Sequence, residues 1–142
     1  MQWMRADLLS WDDVSRLIPF APFDVILDKS TSDAIATFSD RKISSGDGIS
    51  CLCPTVRPLL SSEPLVTLSP VEALALHLVP LTRTKTTWIA LSYSTLRFDS
   101  LPLLGKYWSI RSRKPLRAPP GDVSSSAYTP EVFHWVYVLD RI

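Results

Sequence analysis

Phe23-Asp24-Val25-Ile26-Leu27-Asp28-Lys29 runs without a break into Ser30-Thr31-Ser32-Asp33-Ala34-Ile35, and this succession restricts the available folds more than any other segment. Four apolar residues around one aspartate, over Phe23 to Leu27, predict a short strand buried on both faces. Pro19 and Pro22 keep the preceding backbone out of helix. The polar residues that follow read as a helix entry. Ser30 and Asp33 stand at capping-box spacing, with the hydroxyl placed to accept from a free backbone N–H and the carboxylate favoured by the helix dipole.

A second unit of this kind lies downstream. Ser69-Pro70-Val71-Glu72 combines an N-cap, a proline at the first helical position and a glutamate three residues after the cap. Val71, Leu74, Ala75, Leu78 and Leu81 then fall on one helical face, and burying the three leucines would contribute about 1.5 to 3 kcal/mol each. Thr86 to Tyr93 is β-branched and aromatic, as a buried strand requires. Strand, long connection with a helix, then strand is the pattern of a right-handed parallel crossover, so the expected class is α/β.

The rest of the chain is less regular. Gln2 to Ala6 reads as a short strand, and Ser10 or Asp12 as the cap of a helical turn reaching Leu17 and Ile18. Residues 39–66 are rich in serine, proline and glycine and read as a flexible insertion. Lys106 to Ile110 and Glu131 to Leu139 read as two further strands, separated by the proline- and serine-rich stretch from Pro115 to Pro130, which can pair antiparallel and make a mixed sheet.

The 142 residues, 46% of them hydrophobic, suit one domain with a real core. Fifteen basic against 14 acidic residues leave a net charge of +1, which offers nucleic acid no general attraction. The basic run Arg111 to Arg117 reads first as a solvated loop beside a strand. No stretch approaches the roughly 18 apolar residues of a membrane span, and Asp7, Asp12 and Asp13 argue against a targeting presequence. A cytoplasmic or nuclear protein is the expectation. Cys51 and Cys53 are too few and too close for a disulfide framework and read as free loop thiols, while His77, beside the apolar stripe, reads as a packed helix residue. Gly46-Asp47-Gly48 lacks the preceding strand a phosphate loop needs, and no nucleophile elbow or paired-histidine metal motif occurs.

In open α/β sheets a ligand sits beyond the carboxyl ends of the parallel strands. The residues at those ends are Asp28, Lys29, Ser30 and Thr31 after one strand and Ser92, Tyr93, Ser94 and Arg97 after the next, joined by Asp7 if Gln2 to Ala6 is a strand. The plain reading of Asp28-Lys29 is a solvated turn whose acid caps the following helix.

The segment from Phe23 to Ala34 resembles the fourth-strand signature of the class I, seven-β-strand, S-adenosylmethionine-dependent methyltransferases, in the branch that includes lysine methyltransferases of elongation factor 1-alpha. The helix from Ser69, Leu91-Ser92-Tyr93-Ser94 with Arg97-Phe98, and His134 to Arg141 are similar to later parts of that branch, in order. The resemblance implies a partial Rossmann-like fold, a single incomplete methyltransferase domain over 1–142 that lacks the first two strands, with antiparallel C-terminal strands. It implies S-adenosylmethionine as cofactor, with Asp7 at the adenine amino group, Leu8 against the ring and Asp28 at the methionine end. Asp28 and Lys29 would be catalytic, Thr31, Tyr93, Ser94 and Arg97 would border the acceptor, and the substrate would be a protein such as a translation factor. Arg97 reads equally as a structural ion-pair residue.

The chain departs from that pattern in two ways. Ser30 stands where the branch has glycine, and no glycine-rich cofactor turn precedes the segment. The expectation is a truncated domain with little cofactor affinity, prone to self-association through the strand Phe23 to Leu27. The alternative is a non-catalytic methyltransferase-like interaction module that uses the open sheet edge or the basic run.

Overall fold

A computed structural model of the chain describes residues 2–44, 46, 52–118 and 131–142. Cys51, Asp47, Gly48 and most of the stretch between Pro115 and Pro130 lie outside the described residues. The helices are α1 (Trp11–Ser15), α2 (Thr31–Ile35), α3 (Arg57–Ser62) and α4 (Pro70–Leu78). The strands are β1 (Phe23–Lys29), β2 (Arg41–Ser44), β3 (Leu65–Leu68), β4 (Thr82–Ser92), β5 (Trp108–Arg117) and β6 (Phe133–Arg141).

Four strands form an open mixed sheet in the order β1-β4-β6-β5. β1 and β4 are parallel, with Ile26 opposite Trp88 and Asp28 opposite Ala90. β6 runs antiparallel to both β4 and β5. The strand, helix, parallel strand succession expected from Phe23 to Tyr93 is therefore present, as is the antiparallel C-terminal pair. Both C-terminal strands sit later than their composition suggested. β5 takes in the basic run Arg111 to Arg117, which belongs to the ladder and is not a loop.

Helix α4 starts as its sequence predicts. Ser69 Oγ accepts from the Glu72 N–H, and the Glu72 carboxylate reaches back to the Ser69 N–H, completing a capping box. Its other end is closed by side chains from distant elements. The Ala75 carbonyl accepts from Trp108 Nε1 at 3.1 Å, the Leu76 carbonyl from the Cys53 thiol at 3.5 Å, and the Leu78 carbonyl from Thr82 Oγ1 at 3.1 Å. They lie in the last turn, where a helix runs short of internal donors, and the Leu76 carbonyl also accepts from the Val79 N–H. All nine residues of α4 are buried, so the single apolar face expected from its periodicity is an underestimate. Cys53, Val56 and Leu68 join the core around it.

Part of 39–66, which the sequence reads as a flexible insertion, is thus regular structure. β2 and β3 pair antiparallel, Arg41 opposite Leu68 through Ser44 opposite Leu65, and α3 lies between them in sequence. Short strands of four residues leave too little alternation to be visible against serine and proline. Gln2 to Ala6, in turn, forms no strand. Trp3 is 88% exposed and the segment joins no ladder, so nothing on the sheet rewards its extension.

The sheet has one covered and one bare face. On the covered face Trp88, Ala90, Tyr137 and Leu139 are fully buried, and Trp88 meets Phe98 at 5.1 Å and Trp108 at 5.4 Å, both edge to face. On the other face Val25 is 55% and Leu27 78% exposed, while Ile89, Leu91, Val136 and Val138 are half-buried. β1 is thus not buried on both faces, which corrects the expectation from its apolar run. No described element packs over its outer side, and it is an edge strand with β4 as its one partner.

Candidate functional site

Because β1 and β4 are parallel, their carboxyl ends bring together most of the residues singled out in the sequence. Asp28 is buried at 7% exposure, and its carboxylate accepts from the Thr31 N–H at 2.7 Å and the Ser32 N–H at 3.2 Å. It caps α2, satisfying two of the N–H groups that a helix start leaves free. The plain reading of Asp28 holds for the cap, but not for the solvent. Ser30 does not form the expected capping box with Asp33. It adopts φ 61°, in the left-handed region, makes no cap, and directs its hydroxyl to the Leu91 carbonyl at 3.5 Å. A serine has taken the conformation that glycine reaches without a Cβ penalty.

Asp33 is freed for another task, one the sequence did not indicate. Its carboxylate accepts from Ser92 Oγ at 2.6 Å, from the Tyr93 N–H at 2.8 Å and from Arg97 Nε at 2.7 Å. Burial acts to raise the Asp33 pKa, but the bonds from Ser92, Tyr93 and Arg97 outweigh it and hold the carboxyl below its ordinary value. Arg97 is therefore an ion-pair residue, largely enclosed together with Asp33. Ser94 belongs to the same network, since its carbonyl accepts from the Tyr137 hydroxyl at 2.8 Å and its Oγ from the Leu96 N–H at 3.2 Å. Tyr93 is exposed, with its ring edge-on to His134 at 4.6 Å. Only a contact between residues some 60 positions apart reveals Asp33, and its local signal was that of a helix cap.

Lys29 projects from the end of β1, exposed and without an ion pair among the described residues. Asp7 and Leu8 lie in a tight turn before α1, not at a strand end. Asp7 Oδ1 accepts from the Leu9 N–H at 2.9 Å, its own N–H donates to Asp13 at 2.9 Å, and the Leu8 carbonyl accepts from His77 Nδ1 at 2.8 Å. The expected Ser10 or Asp12 cap of α1 is not formed.

A cavity of about 60 Å³ brings Leu8, Asp28 and Thr31 together over Leu74, Leu78 and Trp88. Pockets that enclose nucleoside-sized ligands run to roughly 300 to 1,000 Å³. Asp7 opens on a different cavity, with its carboxylate already holding a turn. As they stand, the residues carried over from the resemblance do not fit S-adenosylmethionine. The carboxylates among them serve a helix cap, an ion-pair network and a turn, while Lys29 and Tyr93 stand exposed.

Cys53 is a free, buried thiol, its pKa pushed up by burial. No group of histidine, cysteine and carboxylate side chains suited to a metal occurs among the described residues, and no described helix is long and apolar enough to cross a membrane. No family model, curated protein or solved structure matches the chain.

Proposed function

We propose that this chain works as a methyltransferase-like protein-interaction module that takes an extended segment of a partner along β1. The observation that carries the reading is the edge position of β1 with Val25 and Leu27 exposed. An unpaired edge offers a row of free N–H and C=O groups, and strand addition uses them for affinity while alternate side chains supply selectivity. Val25 and Leu27 project from one side of β1, next to the half-buried Ile89 and Leu91 of β4, so an added strand with apolar residues at alternate positions extends an apolar surface already present. The satisfied state of Asp28 and Asp33 supports the same reading, because neither carboxylate is left over for a methyl acceptor.

A labelled synthetic heptapeptide with the sequence of Phe23 to Lys29 is the direct probe, measured by fluorescence anisotropy. Binding is expected, with loss on N-methylation of alternate peptide amides and at least about tenfold weakening by Val25→Lys/Leu27→Lys in the protein. Absence of binding, or binding indifferent to N-methylation, overturns strand addition. Stoichiometric, saturable heat with S-adenosylmethionine overturns the non-catalytic assignment.

A further inference from the structure

Trp88 and Trp108 are both fully buried in the core, yet their indole N–H groups are provided for differently. Trp108 Nε1 donates to the Ala75 carbonyl at 3.1 Å. Trp88 Nε1, on a side chain at 0% exposure, has no acceptor among the described residues. A buried N–H without a partner is uncommon in a native structure and costs free energy for as long as the bond stays unmade. Trp88 also lines the cavity of about 60 Å³ beside β1, which leaves space at its ring for an acceptor from outside the chain.

The cavity belongs to the edge strand. Ile26, Leu27 and Asp28 all border it, and since consecutive side chains leave a strand on opposite faces, a space touched by all three runs along the backbone of β1. Leu74 and Leu78 of α4 give it an apolar floor. Its polar wall is Asp28, 7% exposed. Asp28 Oδ1 accepts from the Thr31 and Ser32 N–H groups at 2.7 and 3.2 Å, whereas Oδ2 has only a longer share of the Ser32 N–H, at 3.3 Å. Oδ2 therefore keeps lone pairs for a further donor.

Size and polarity define the occupant. At about 30 Å³ for each water-sized group, the cavity takes roughly two such groups beyond a branching carbon, which excludes an aromatic ring or a phosphate. One of the two must accept from Trp88, and a group that also donates answers Asp28. An aliphatic side chain does neither, and a carboxylate is repelled by Asp28.

We infer that this cavity seats a threonine of the strand that adds along β1, an assignment that rests on the strand addition proposed above. The threonine hydroxyl accepts from Trp88 Nε1 and donates to Asp28 Oδ2, while its methyl packs on Leu74 and Leu78. Threonine is also a residue that strands favour. Its neighbours in the partner point to the other face, beside the exposed Val25 and Leu27, so the partner carries threonine between two apolar residues.

Labelled heptapeptides Lys-Ala-Val-Thr-Val-Ala-Lys and Lys-Ala-Val-Val-Val-Ala-Lys differ only at the centre, where threonine and valine have nearly the same shape. Fluorescence anisotropy with the full chain should show the threonine peptide binding at least about tenfold tighter, because a site built around a polar contact rejects the isostere that leaves it unpaired. An allo-threonine centre, which exchanges hydroxyl and methyl, should lose most of that preference. In proton NMR the Trp88 indole N–H should move downfield with the threonine peptide and stay in place with the valine peptide. Every change is made in the peptide, so the folding of the protein is not at stake. Equal or tighter binding of the valine peptide, or an unmoved indole proton, overturns the threonine site and leaves strand addition standing. Binding of neither peptide overturns both.

Discussion

The two faces of the four-stranded sheet are made from the same strands yet differ in what they ask of each residue. On the covered face, Trp88, Tyr137 and Leu139 fill space that α4, Phe98 and Trp108 enclose. On the bare face, Leu27, Ile89 and Val138 are equally apolar and support nothing described. Residues one position apart along β1 therefore contribute very differently to stability. Hydrophobicity marks a strand, but only a covering layer converts it into free energy.

The sharpest way to break this contrast is truncation on each face. Trp88→Ala should destabilise by about 3 to 5 kcal/mol, whereas Leu27→Ala should stay within about 0.5 kcal/mol. Chemical denaturation of both variants measures the gap, and comparable losses would show that the bare face is covered in solution. Next in size is Asp33→Asn, which leaves Arg97 enclosed without its counter-charge. A loss of about 1 to 3 kcal/mol is expected, below the full value for a buried pair because both side chains retain some exposure. The folded-state pKa of Asp33 lies below its unfolded value, so its contribution is fully present above the ordinary carboxylate range. It is lost as the pH falls through the depressed folded value, and Asp33→Asn should flatten that acid limb.

His77 predicts a second and milder pH dependence. Its folded pKa lies below the unfolded value of about 6.5, so the unfolded chain binds the extra proton first and stability falls as the pH drops through that value. Thermal melts between about pH 7.5 and pH 5 should show this in the wild type and lose it in His77→Gln. The smallest effect is a gain. Ser30→Gly relieves a left-handed backbone and should stabilise by about 0.5 to 1 kcal/mol, read from the denaturation midpoint. A loss there would mean that the Ser30 hydroxyl contributes more than its long bond to Leu91 suggests.

What the sequence disclosed follows the range of the forces involved. β1, the capping box of α4 and β4 are specified by neighbours within a few positions, and all three were legible. The parallel pairing followed from their order. Of β5 only the start, Trp108 to Ile110, reads as strand, because its residues beyond Trp108 are mostly exposed and no alternation marks them. Its polar run becomes a strand only because β6 lies alongside. β2 and β3 were hidden by their brevity. At the site, Asp28 showed its capping role through local spacing, but Asp33 depends on Ser92, Tyr93 and Arg97, brought to it by the fold. The cavity beside β1 was equally invisible, since it joins β1 to α4 and β4 across some 60 positions.

The strand order has a consequence for the way the molecule acquires its shape. β6 lies between β4 and β5 in the sheet although it follows both in sequence. While the ribosome has yet to release residues 133–141, β4 has no partner on that side and β5 has nothing to join, so Trp88 and Trp108 lack the scaffold that fixes their contact. The nascent chain must carry its aromatic core unassembled until the final ladder closes, a long-range step that is slow by its topology. Until then both faces of the unfinished sheet expose apolar side chains, and afterwards only one does.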